Sequence, residues 1–188
     1  MALNMPHTLQ ISIGQHSDKG RKDINQDFHG VLVPKEPLLG LKGIAVALAD
    51  GISSSEVSQI ASESAVSGFL EDYYCTPDAW TVRTSAERVL VATNSWLHSQ
   101  TLQSQHRYDR ERGYVCTFSG LVIKSTTAHL FHIGDARICR LRGSEFTQLT
   151  EDHRVWVSSQ QSYLARALGM GRNVEIDYQQ VQLADGDL

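Results

Sequence analysis

The chain is 188 residues long, a length that fits one domain, and its 20% charged and 41% apolar content is that of a soluble globular fold, not a disordered one. Seventeen basic against 21 acidic residues give a formal net charge of −4, so it lacks the basic footprint that a nucleic-acid backbone requires. Residues 1–10 show no basic start followed by an apolar stretch, and no segment approaches the ~18 apolar residues of a membrane span, so a cytoplasmic location without membrane insertion is expected.

Leu9, Ile11 and Ile13 alternate with polar neighbours, the period of a half-buried strand, and 28–33 reads as a second strand. Between them lies the polar, charged stretch 17–27, whose Gly20 suits a turn. Residues 34–43 hold two prolines and two glycines and read as a loop. Ile44-Ala45-Val46-Ala47-Leu48-Ala49 is apolar without alternation, a strand buried on both faces, and stops at Asp50-Gly51. Ser53 and Glu56 have capping-box spacing, which predicts that a helix begins there. Val57, Ile60, Ala61, Ala65, Gly68 and Phe69 carry its apolar face to about Tyr74. Beyond Pro77-Asp78, Val82, Ala86, Val89, Leu90, Thr93 and Leu97 predict a second helix of roughly six turns.

The arginine-rich 103–113 reads as an exposed loop and 115–123 as a strand. Three β-prone runs follow at 128–133, 136–141 and 145–149, split by Gly134-Asp135 and Arg142-Gly143-Ser144, the pattern of an antiparallel meander. Strands, two helices and more strands lack regular β-α-β alternation, so residues 1–188 are expected to form one α+β domain of mainly antiparallel sheet covered by helices. Cys75, Cys116 and Cys139 are odd in number and widely spaced, and read as buried thiols of a reducing compartment.

Asp50 and Asp135 stand where apolar runs finish. A carboxylate at a strand end is held by a rigid sheet yet reaches its edge, so several can converge as oxygen ligands for magnesium or manganese. Gly51 allows a backbone carbonyl to approach such an ion closely. Taken singly, Asp50 and Asp135 read equally as turn residues, and Asp27 as a loop residue or local cap.

The ordered strings Gly20-Arg21-Lys22-x-x-Asn25-Gln26-Asp27, Ala47-Leu48-Ala49-Asp50-Gly51-Ile52 and Ala61-Ser62 resemble the opening motifs of the PPM (type 2C) phosphatases. Thr117-x-Ser119-Gly120, His132-Ile133-Gly134-Asp135-Ala136-Arg137, Leu149-Thr150-x-Asp152-His153 and Arg166-Ala167-Leu168-Gly169 resemble that family's middle motifs. The resemblance implies two packed, mainly antiparallel sheets flanked by helices, with a binuclear Mn2+ or Mg2+ centre at one end. It implies that Asp50 bridges the metals, that the Gly51 carbonyl binds one, that Asp27 sits beside it, and that Asp135 belongs to a third, weaker site. The implied reaction is hydrolysis of phosphoserine and phosphothreonine proteins by a water that the two cations activate, with no side chain as nucleophile. Arg21 and Lys22 are the implied phosphate-binding cations, and a cognate serine/threonine kinase is a partner the resemblance allows.

The pattern departs at four places. Lys22 stands where the family usually has arginine, giving charge without a bidentate fork. Gln26 replaces a common glutamate, leaving a coordination position for water. Ile52-Ser53 follow the Asp-Gly, so no histidine general acid is available there, and His153 reads as a hydrogen-bonding structural residue. The chain stops at Gly186-Asp187-Leu188, where the family continues into strands with two further aspartates, so a domain incomplete at its C-terminal end is expected. The alternatives are a catalytically inactive phosphatase-like module that binds a phosphoprotein or regulatory partner, and a purely structural module.

Overall fold

The computed structural model describes residues 11–158 and 161–188. Its centre is a five-stranded antiparallel sheet in the order β1-β2-β3-β4-β9. These strands are β1 (Asp27–Leu32), β2 (Ile44–Asp50), β3 (Phe118–Lys124), β4 (Thr127–Ile133) and β9 (Asp177–Gln182). Helices α2 (Ser58–Cys75) and α3 (Val82–Gln103) cover one face.

Small side chains on that face explain the close packing. Ala45, Ala47 and Ala49 are wholly buried, as are Ala61, Ala65, Val66 and Phe69 of α2, so the helix lies low on the sheet. Phe69 meets Phe118 of β3 edge to face, with ring centroids 5.1 Å apart. The opposite face is less covered. Val31, Val46, Leu48 and Ile123 line a cleft of about 650 Å³ that Ile11, Ile13 and Leu188 border. The second layer consists of the two-stranded ladder β5 (Cys139–Arg142) with β6 (Glu145–Gln148), beside which Leu188 and Leu141 exchange two backbone hydrogen bonds.

The expected antiparallel α+β class is present, with local corrections. The 128–149 region is not one meander: β4 pairs with β3 and β9, while β5 and β6 form their own ladder. The chain leaves the main sheet at Gly134, whose φ of +117° suits glycine and redirects the strand. The 34–43 segment contains a short helix α1 (Leu38–Lys42). Ser53 and Glu56 do not cap α2, which begins at Ser58 after Val57. The serines there have other partners: Ser54 Oγ donates to the Glu111 carbonyl at 2.5 Å and Ser55 Oγ to the Gly113 carbonyl at 2.8 Å. No strand covers the described part of the expected first strand, and Leu9 lies outside the described residues. Of the cysteines only Cys116 is buried; Cys75 is exposed and Cys139 half-buried, since each sits at an element end that the core does not cover.

The sequence reading did not anticipate β9 or the hairpin β7 (Arg154–Trp156) with β8 (Ser162–Leu164), whose short runs carry little periodic signal. Asn94 of α3 ties the late loop to this frame. It donates to the carbonyls of Gly171 and Arg172 and accepts from Gly169 N–H, and it is buried. Asn94→Ala leaves those backbone groups without a partner and should cost about 2 to 4 kcal/mol, read as a lowered urea midpoint at unchanged m.

Candidate metal centre

Strand pairing places Asp27 directly opposite Asp50, the first residue of β1 against the last of β2. Among the described residues no donor other than the facing carboxyl reaches either group, and the two lie within hydrogen-bonding range of each other. The Asp50 carboxyl is pushed up to about 6, first by burial, then by the hydrogen bond shared with Asp27 and by that residue's charge. Lys22 acts in the opposite direction, and Asp135 adds a smaller upward push.

The backbone around Asp50 is held from both sides. Its N–H donates to Thr117 Oγ1 at 3.1 Å, and its carbonyl accepts from Thr117 N–H at 2.8 Å. Gly51 N–H donates to the Gln26 carbonyl at 3.0 Å, while the Gly51 carbonyl receives no hydrogen bond among the described residues. That leaves an oxygen with a free lone pair next to the carboxylate pair, the hard donor set that Mg2+ and Mn2+ prefer.

Asp135 lines the same cleft, of about 210 Å³, with Asp50, Gly51, Ser53, Thr117, Arg154 and Leu164. Its carboxylate is paired with the Arg154 guanidinium, which also donates from Nε to Ser162 Oγ at 2.8 Å. Among the described residues no three of His, Cys, Asp and Glu converge in one cage, so the acidic groups form a pair plus an ion-paired third. Arg21 and Lys22 are exposed on the turn before β1 and make no ion pair among the described residues; Lys22 is close enough for its charge to act on Asp50.

Gln26 reaches into the loop after β2. Its amide donates to the Ser55 carbonyl at 2.9 Å and to Ser58 Oγ at 2.7 Å, so it clamps the turn between β2 and α2. With its amide spent on the loop, Gln26 supplies no carboxylate to the pair beside it. Two of the middle strings also meet: Arg137 forks onto Asp152 at 2.8 and 2.5 Å, and Ile138 N–H donates to Thr150 Oγ1. Arg154 is the site residue that sequence reasoning missed, and its only sign was a cation just after Asp152-His153.

A helix-covered antiparallel sheet with facing carboxylates at one end defines an α+β protein with a candidate hard-cation centre. A family model described as protein phosphatase 2C matches residues 15–168, and the chain belongs to that family. The protein phosphatase PhpP of Streptococcus pneumoniae is 28% identical over 162 residues, covering 76% of this chain and 63% of that relative. The chain therefore spans less than two thirds of the curated relative. A serine/threonine phosphatase structure from S. agalactiae superposes with a TM-score of 0.69 at 24% identity, covering 94% of this chain and 74% of that one. The Mycobacterium tuberculosis phosphatase PstP/Ppp gives 0.67 at 22%, over 88% and 70%. The catalytic domain of PstP in complex with two manganese ions gives 0.64 at 21%, over 88% and 69%. Among the described residues no helix is long and apolar enough to cross a membrane.

Proposed function

We propose that residues 1–188 belong to one protein serine/threonine phosphatase unit that hydrolyses phosphoserine and phosphothreonine esters with Mn2+ or Mg2+. The observation that carries this reading is the carboxylate pair: Asp27 and Asp50 face each other across the β1–β2 register with no other donor on either among the described residues, beside a Gly51 carbonyl that accepts no hydrogen bond from them. Like charges so placed call for a cation between them.

In this reading Asp50, the Gly51 carbonyl and Asp27 would hold the cations, and Asp135 would serve a third, weaker position. Two cations bound there supply Lewis-acid activation of water and neutralise charge on the phosphoryl oxygens. The chain's own contribution is placement. Thr117 fixes the Asp50 backbone, Gln26 fixes the turn through Gly51, and Lys22 and Arg21 offer exposed positive charge to an incoming phosphate. The matched family and the manganese-bound PstP catalytic domain support the metal dependence. Phosphoproteins are the substrate class, and a cognate kinase is a fitting partner.

One observation favours a second reading. Asp135 is occupied by Arg154, as in a phosphatase-like module that binds a phosphoprotein without turnover. Hydrolysis of p-nitrophenyl phosphate with and without Mn2+, paired with calorimetric Mn2+ titration, separates the two. Manganese-dependent turnover is expected in this chain or in one extended through the family's two further aspartate motifs; manganese binding with turnover in neither selects the binding module, and no binding in either removes both metal-based roles.

A further inference from the structure

A second group of side chains runs alongside the carboxylates. Gly134 and His153 exchange two hydrogen bonds: Gly134 N–H donates to His153 Nδ1 at 3.0 Å, and His153 N–H to the Gly134 carbonyl at 2.8 Å. A Cβ at Gly134 would stand 2.6 Å from Thr117 Cβ, so this residue is pressed between His153 and the threonine that holds Asp50. On its far side, His153 Nε2 meets Asp177 Oδ2 at 2.9 Å, and Arg166 holds the other Asp177 oxygen at 2.8 Å.

Since Nδ1 receives a backbone N–H, it carries no proton, and Nε2 donates to Asp177: one tautomer satisfies both partners. The ring is also backed by His132, 4.8 Å away between centroids, which is buried and bonded to Ser119 Oγ and the Glu151 carbonyl. The His153 carbonyl accepts from Ala165 N–H at 2.8 Å, closing the base of the β7–β8 hairpin that carries Arg154. One residue therefore grips the chain just before Asp135 with its ring and the hairpin bearing the Asp135 partner with its backbone.

We propose that His153, fixed by Asp177 with its proton on Nε2, is a positioning residue that presents Asp135 and the Arg154 hairpin to the Asp50 end of the sheet as one unit. The proposal rests on the metal-dependent reading above. The ring bonds to neither Asp50 nor Asp135, so it acts through Gly134. Outer partners of this kind typically change metal affinity about 10- to 100-fold when replaced.

The test uses the 188-residue chain. Two-bond nitrogen–proton NMR correlations of the metal-free protein should show His153 with Nε2 protonated and Nδ1 bare; the opposite tautomer overturns the proposal. Mn2+ titrations then compare wild type, His153→Asn and His153→Gln, each also combined with Asp135→Ala. Asparagine keeps an acceptor where Nδ1 was, whereas glutamine reaches toward Asp177 only. His153→Gln should weaken Mn2+ binding on the order of 10-fold, His153→Asn should recover most of that loss, and neither should add to Asp135→Ala. Equal losses in both variants, or the same loss without Asp135, make His153 a packing residue and overturn the proposal. Wild type that binds no Mn2+ brings down the metal-dependent reading and this proposal together. Wild type that binds while His153→Gln matches it brings down the positioning role alone.

Discussion

Asp50→Asn is expected to abolish Mn2+-dependent ester hydrolysis, by on the order of 10³-fold or more, while making the metal-free chain more stable at neutral pH. The two effects share one cause. Asp50 is held against Asp27 and half-buried, which pushes its carboxyl from 3.8 up to about 6. Below about pH 4 the group is protonated in both folded and unfolded chains. As pH rises toward 6 the unfolded chain releases its proton first, so the metal-free fold loses stability across that window. Asparagine has no proton to release and removes that penalty.

Added Mn2+ should reverse the order, because a ligand that binds only the folded state stabilises it by mass action, and the variant has lost the carboxylate proposed to bind it. Urea unfolding at pH 5 and pH 7.5, with and without Mn2+, reads both signs. Hydrolysis unchanged by Asp50→Asn would sink the mechanism. A metal-free variant no more stable than wild type at pH 7.5 would show that Asp27 and Asp50 do not repel as their register implies.

Gly51→Ala should be among the most destabilising single-methyl additions in the protein, costing about 3 kcal/mol or more. A Cβ there would lie 2.6 Å from the Ser58 carbonyl oxygen and 2.8 Å from Ser58 Cβ. Neither atom yields easily. Ser58 is buried in the first turn of α2, donates to the Ser55 carbonyl and accepts from Gln26. Relief of the collision must move the Gly51 carbonyl, so Mn2+ affinity should fall together with stability. A loss of this size lowers the melting temperature by roughly 6 to 12 °C for a domain of this length. A midpoint within a degree of wild type would mean that β2 and α2 are less tightly joined than this contact requires.

The elements were legible where the signal is local. Helical spacing from Val82 to Leu97 found α3, and the unbroken apolar run from Ile44 found β2, because side-chain period reports burial directly. The aspartates at the ends of β2 and β4 were legible for the same reason: an abrupt polar residue after an apolar run marks where the sheet meets solvent. The Ser53 to Glu56 capping pattern misled, since the neighbouring Ser54 and Ser55 tie this stretch to the carbonyls of 111–113 as a turn before the helix, which no local rule anticipates.

Composition, periodicity and motif order were enough to define an antiparallel α+β chain of the protein phosphatase 2C family and to nominate its carboxylates. Tertiary structure alone decided which groups meet. It set Asp27 against Asp50 through the β1–β2 register, turned Gln26 from the site into the turn beside it, and brought Arg154 onto Asp135 and His153 between Gly134 and Asp177. A residue's own neighbours along the chain dictate its backbone preference. The partner that shifts its charge or holds its side chain comes from strand pairing and hairpin placement, which depend on the packing of the whole core.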